Sequence, residues 1–161
     1  MTVEDFNSCV DLYSDGIYRF ALKMLGDTML AEDNVQDSFE RLWVKRGEID
    51  RSKAKSYLFT TSYHASVDAI RRDRHKQELE NAQPVLEIGY QPNFDVKEII
   101  NHAVDQLPTV QKSVLLLRDY EGYSYGEIAG ITGLNESQVK VYIYRARVFL
   151  KEKLVSIENL I

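Results

Sequence analysis

The stretch Ser124–Arg147, SYGEIAGITGLNESQVKVYIYRAR, decides the fold. Ser124 with Glu127 three residues on is a capping box, so a helix starts there. Ile128, Ala129 and Ile131 give that helix an apolar side, and Gly133 suits the left-handed position just past its end. Asn135 with Gln138 caps a second helix. On it Val139, Ile143, Ala146 and Leu150 make a single apolar stripe, and Gln138, Lys140, Tyr144, Arg145 and Arg147 occupy the other faces. A capped helix, a glycine turn and a helix apolar behind and basic-polar in front form a helix-turn-helix, whose second helix enters the DNA major groove. An ordinary helical hairpin with a solvated outer face shares the apolar spacing; the turn chemistry and the Lys-x4-Arg-x-Arg run favour DNA.

Working back from that motif, Val110, Val114, Leu117 and Tyr120 stripe a helix that starts at Pro108 and closes at Gly122. Before it, Asp95 with Glu98 caps a helix striped by Val96, Ile100, Ala103 and Leu107. Between Gln77 and Phe94 the periodicity fades, interrupted by Pro84, Gly89 and Pro92, which reads as an acidic linker between two domains. A helix expected over Lys53–Arg74 precedes it. Its aromatics Tyr57, Phe59 and Tyr63 fit either core packing or a stacking platform for unpaired bases. Its end, with Arg71, Arg72, Arg74 and Lys76, suits phosphates or a solvated helix terminus. Earlier still, Val35, Phe39, Leu42 and Trp43 form the buried side of a helix over Ala31–Arg46, with Glu32, Asp33, Gln36, Asp37 and Glu40 outward. Phe6, Val10, Tyr13, Ile17, Phe20 and Met24 stripe the first helix, which Gly26 ends. The expected fold class is all-α: a three-helix domain at 1–77, a flexible linker at 78–94 and a four-helix domain at 95–161.

Composition sharpens this. The 161 residues carry a net charge of −5. The charge alternates in blocks: −6 over 1–50, +5 over 51–77, −5 over 78–108 and +1 over 109–161. A basic block beside acidic ones suggests one surface for a phosphate backbone and another for a different partner. A single cysteine, Cys9, forbids an internal disulfide, and the acidic start and lack of a long apolar run argue against export and membrane insertion; a cytoplasmic protein is expected. No phosphate loop, nucleophile elbow or metal-ligand spacing is present, so no catalytic residue, metal or cofactor is expected.

Three blocks then carry a family likeness: AEDNVQDSFERLW at 31–43, KAKSYLFTTSYHASVDAIRR at 53–72, and LPTVQKSVLLLRDYEGYSYGEIAGITGLNESQVKVYIYRAR at 107–147. Together they resemble an extracytoplasmic-function (ECF) sigma factor, the compact two-domain branch of the sigma-70 family. The resemblance implies a subunit that joins core RNA polymerase, through its β′ and β subunits, and directs it to promoters. Asp33, Gln36, Asp37, Glu40 and Arg41 match positions that bind the polymerase clamp helices. Arg51, Lys53, Lys55, Tyr57, Phe59, Tyr63, His64, Arg71, Arg72 and Arg74 match the surface that opens the minus-ten element. Glu136, Ser137, Gln138, Lys140, Val141, Tyr144, Arg145 and Arg147 lie on the helix that reads the minus-thirty-five element. The acidic linker would thread the polymerase channel. The family also implies a monomer when free and leaves room for an anti-sigma factor.

The chain departs from the family pattern at Asn34, Tyr57, Tyr63, His64, Val141, Tyr142 and Tyr144. A good side-chain-to-base pair is worth about 1–3 kcal/mol, so three changed side chains among those that meet DNA can retarget a promoter. Two rival readings are a free-standing helix-turn-helix regulator and an interaction module that has lost DNA binding. A free-standing repressor has no need of the acidic second helix or the aromatic-basic third helix, whereas the altered recognition helix is what speaks for the interaction module.

Overall fold

The computed structural model describes residues 1–80 and 95–158. Among the described residues the chain forms seven α-helices and no strand. The helices are α1 (Val3–Leu25), α2 (Thr28–Val44), α3 (Arg51–Leu79), α4 (Val96–Asp105), α5 (Thr109–Leu115), α6 (Tyr125–Thr132) and α7 (Glu136–Glu158). A π-turn, Leu116–Tyr120, prolongs α5. No described helix is long and apolar enough to cross a membrane. The expected linker segment falls largely outside the described residues.

Local chemistry sets most boundaries. A reciprocal capping box of Thr2 and Asp5 starts α1, and Gly26, at φ 68°, ends it by donating its N–H to the Leu22 carbonyl. Asp27 caps α2. Helix α3 is longer than expected, running past Arg74 to Leu79, because DRHKQEL holds good helix formers and no breaker. Ser124 and Glu127 make the capping box of α6, and Gly133, at φ 80°, closes it. Asn135 and Gln138 exchange backbone-to-side-chain hydrogen bonds at the start of α7.

Helices α1, α2 and α3 pack on one another around Ile17, Phe20, Met24, Phe39, Leu42 and Leu58. Helices α4 to α7 enclose Val114, Leu117, Ile128, Ile131, Val139 and Ile143. Three expectations of register fail, the simplest being Val110, placed in the α5 stripe but exposed. Ile99, not Val96, faces the core of α4, and Val96 lies exposed. The π-turn adds a residue to the α5 period, so Leu115, Leu116 and Leu117 are all buried while Tyr120 rotates out toward α1. The two helical groups also pack against each other: α6 lies on α3 and α5 touches α1.

Asn34, out of place in an apolar stripe, is buried between α2 and α3. Its amide donates to the Ser62 carbonyl and the Ser66 hydroxyl, at 3.2 and 3.1 Å, and its side-chain oxygen accepts from the Ser62 hydroxyl at 2.6 Å. The departure from the family pattern is thus matched by two serines one helix away. Asn34→Ala leaves the Ser62 hydroxyl without its acceptor and is expected to lower stability by about 1–3 kcal/mol, read as a fall in the urea midpoint. An unchanged midpoint would show that the network contributes nothing.

Candidate nucleic-acid and polymerase interface

The side chains expected to function fall on three surfaces. The first is the outer face of α2, where Asp33, Gln36, Asp37, Glu40 and Arg41 are all exposed. They project because the period of α2 turns Ala31, Asn34, Ser38, Phe39 and Leu42 inward. Beside them lies an apolar groove of about 550 Å³, lined by Phe6, Val10, Val35, Phe39, Trp43 and Val44 and edged by Gln36 and Glu40. Trp43, expected in the core, instead stands at the surface between the Phe6 ring, 4.9 Å away, and the Arg46 guanidinium, 3.8 Å above it. The groove escaped the sequence reading because it joins two helices. Its one signal was Trp43, a residue larger than the buried side of a short amphipathic helix needs.

The second surface is α3 and the turn before it. Arg51, Lys53, Lys55, His64, Arg71, Arg72 and Arg74 are exposed, and Tyr57 is half-buried. Arg51 is held at the helix start by hydrogen bonds to Ser8 and Asp5. Tyr57 lines a second hollow with Glu40, Arg41, Val44 and Lys45, so an aromatic ring and two cations meet at the junction of α2 and α3. Phe59 and Tyr63 differ from the rest: they are 1% and 7% exposed. Phe59 packs edge-on against Phe20 and Tyr123, and the Tyr63 hydroxyl meets Ser113, so neither ring is open for stacking in this conformation. Burial pushes the Tyr63 phenol up, against the pull of the Ser113 hydrogen bond.

The third surface is the outer face of α7. Glu136, Ser137, Gln138, Lys140, Val141, Tyr144, Arg145 and Arg147 are all exposed there, with Val141 at 44% and Tyr144 at 69%. The stripe Val139, Ile143 and Ala146 anchors the opposite face. Gly126 lets the two helices of the motif approach: a Cβ on it would stand 3.3 Å from the Glu136 carboxylate. Not all eight side chains are equally free. The Gln138 oxygen accepts the Asn135 N–H, which ties one end of the amide to the cap and leaves its amino group to donate to a base. Arg147 grips Asp119 through two hydrogen bonds of 2.6 and 3.2 Å, which raise its pKa further. Lys140 and Arg118 lie over the Tyr125 ring, which gathers positive charge at the motif's edge.

The model of Sigma-70 region 2 matches residues 9–76, and that of Sigma-70 region 4 matches residues 97–150. The ECF RNA polymerase sigma factor SigM of Bacillus subtilis is 28% identical over 158 residues, covering 94% of each chain. The chain belongs to the sigma-70 family, as an ECF sigma factor. SigW of the same organism is 26% identical over 165 residues, covering 92% of this chain and 88% of its own. Among solved structures, the sigma factor RpoE in complex with the anti-sigma factor NepR from Bartonella quintana superposes with a TM-score of 0.79 at 25% identity, over 94% of this chain and 98% of that one. CnrH, in complex with the cytosolic domain of CnrY, shares the fold at a TM-score of 0.69 and 20% identity, over 94% of this chain and 88% of its own. The resemblance read from the three sequence blocks therefore holds, and the reading as a sigma factor prevails over that of a free-standing regulator. On this family alignment α1–α3 are region 2 and α4–α7 are region 4.

Proposed function

We infer that this ECF sigma factor docks on core RNA polymerase through the acidic face of α2, opens minus-ten DNA along α3 and reads minus-thirty-five DNA through α7. The observation that carries the reading is the presence on one chain of both sigma regions, in order, each with an exposed face of the sign its partner requires. An acidic face suits a basic protein surface and repels DNA; the cations of α3 and α7 suit phosphates. Opening DNA without ATP is physically reasonable, since unstacking a base costs a few kcal/mol and stacking plus phosphate contacts offset it. Tyr57, half-buried beside Arg41 and Lys45, is the aromatic best placed for that role in this conformation.

In the major groove, Val141 and Tyr144 offer apolar and hydroxyl contacts where the family pattern has more polar side chains, so thymine methyls are natural targets. Lys140 and Arg145 flank them for phosphates. Arg145→Ala should weaken promoter binding by the reconstituted holoenzyme at low salt and lower the slope of log affinity against log salt by about one. An unchanged slope removes Arg145 from the interface. The supports for an anti-sigma partner are the solved relatives, RpoE and CnrH, each held by another protein. The reading as a whole is tested by promoter-dependent run-off transcription from core polymerase with and without the purified chain. Initiation only in its presence is expected; transcription unaffected by the chain would refute it.

A further inference from the structure

Asp119 is an exposed acid at the cationic edge of the helix-turn-helix. Lys140, Arg145 and Arg147 are exposed on α7, and Arg118 and Lys140 lie 4.7 and 5.5 Å from the centre of the Tyr125 ring. A carboxylate among these cations weakens their pull on phosphates. Fold stability does not account for it either. The Arg147 and Asp119 side chains are 49% and 37% exposed, and an ion pair that open to water contributes little to folding.

Asp119 reaches its place through an irregularity of the backbone. It lies in the π-turn Leu116–Tyr120, whose added residue shifts the segment's phase by about 100° around the axis. Such turns sacrifice regular hydrogen bonding and occur mostly where function needs the shift. Here the shift sets the carboxylate against Arg147, which donates to it from Nε at 3.2 Å and from Nη2 at 2.6 Å. The Tyr125 hydroxyl is a further acceptor beside the same guanidinium. A guanidinium has more N–H donors than these partners use, and the rest can grip a second anion. Arg147 also stands about 16 Å along α7 from Glu136, at about 1.5 Å per residue. Bases are read mainly from the start of such a helix, so Arg147 meets the backbone at the groove's margin.

We propose that Asp119 is a positioning residue for promoter recognition: it fixes the Arg147 guanidinium so that the remaining donors take one backbone phosphate, and that phosphate sets the register in which Lys140, Val141 and Tyr144 meet the DNA. This rests on the sigma-factor reading above. Phosphate contacts orient a protein on the duplex and base contacts specify the sequence. Releasing Arg147 therefore blurs the register without lowering the general attraction for DNA.

The test is Asp119→Ala in holoenzyme reconstituted from the full chain, with helix content checked by circular dichroism. The probe is a fluorescent duplex carrying the minus-thirty-five sequence that wild-type holoenzyme selects from a pool randomised there. The reference is the same duplex with that element scrambled. The ratio of the two affinities should fall about tenfold, while affinity for the scrambled duplex holds or rises because an acid has gone. In an Arg147→Ala background the same substitution should change the ratio by less than about twofold. An equal loss on both duplexes, an unchanged ratio, or an equal fall without Arg147 would overturn the assignment. In the free chain, NMR should show the Arg147 Nε–H exchanging with water more slowly in the wild type than in Asp119→Ala; equal exchange would overturn it as well. Wild-type holoenzyme that selects no sequence would instead strike the sigma-factor reading, because the exchange result stands without polymerase.

Discussion

Reversing Asp37 and Glu40 to arginine together should lower the affinity of the chain for core RNA polymerase by about 100-fold or more. Both side chains are exposed on the outer face of α2, and Glu40 edges the apolar groove beside Trp43. A partner that docks there meets an acidic rim around an apolar centre, the arrangement in which charge steers and apolar contact holds. Like charges brought together at such an interface cost several kcal/mol, and 100-fold is about 2.7 kcal/mol. Among the described residues neither carboxylate is part of an ion pair, so unfolding free energy should stay within about 0.5 kcal/mol of the wild type. A fluorescence titration of labelled chain with core polymerase reads the effect. An affinity within threefold of wild type would move the docking surface away from α2.

The second large effect is structural in origin and functional in consequence. Ile143 is 1% exposed at the centre of the α7 stripe, between Val139 and Ala146. Truncation to alanine leaves a cavity costing about 2–5 kcal/mol, a large share of what a small helical domain has. The thermal midpoint should fall by about 10 °C, and promoter-dependent transcription should fall with it. Tyr144→Ala, one residue on and on the outward face, should leave the midpoint alone and lower only transcription. Equal loss of stability in both would mean that Tyr144 packs, and that the outer face of α7 is misassigned.

The capped helices were legible because their signals are local. Ser124 with Glu127 and Asn135 with Gln138 sit three residues apart, and the α7 stripe repeats within one helix. The acidic face of α2 followed from the same period. What escaped depends on contacts across the chain. Arg19 and Glu121 are 102 positions apart, and no periodicity within α1 or after α5 marks either as a partner. The aromatics of α3 show both cases: Tyr57 stays half-buried beside two cations, whereas Phe59 and Tyr63 are sealed by α1 and region 4, which a helical wheel cannot distinguish. The π-turn was illegible for another reason. One inserted residue leaves the composition of LLLRDY unchanged and shifts only its phase, sending Tyr120 to Lys23 and Asp119 to Arg147. Asn34 read as a flaw in an apolar stripe until Ser62 and Ser66 came beside it from α3.

The central claim is that this chain is a subunit of RNA polymerase and not a regulator acting alone. Size-exclusion chromatography of the purified chain with core RNA polymerase, without DNA, tests it most directly. A stoichiometric complex at the size of the holoenzyme is the expected result. Two separate peaks, with the chain folded and monomeric in its own, would contradict it.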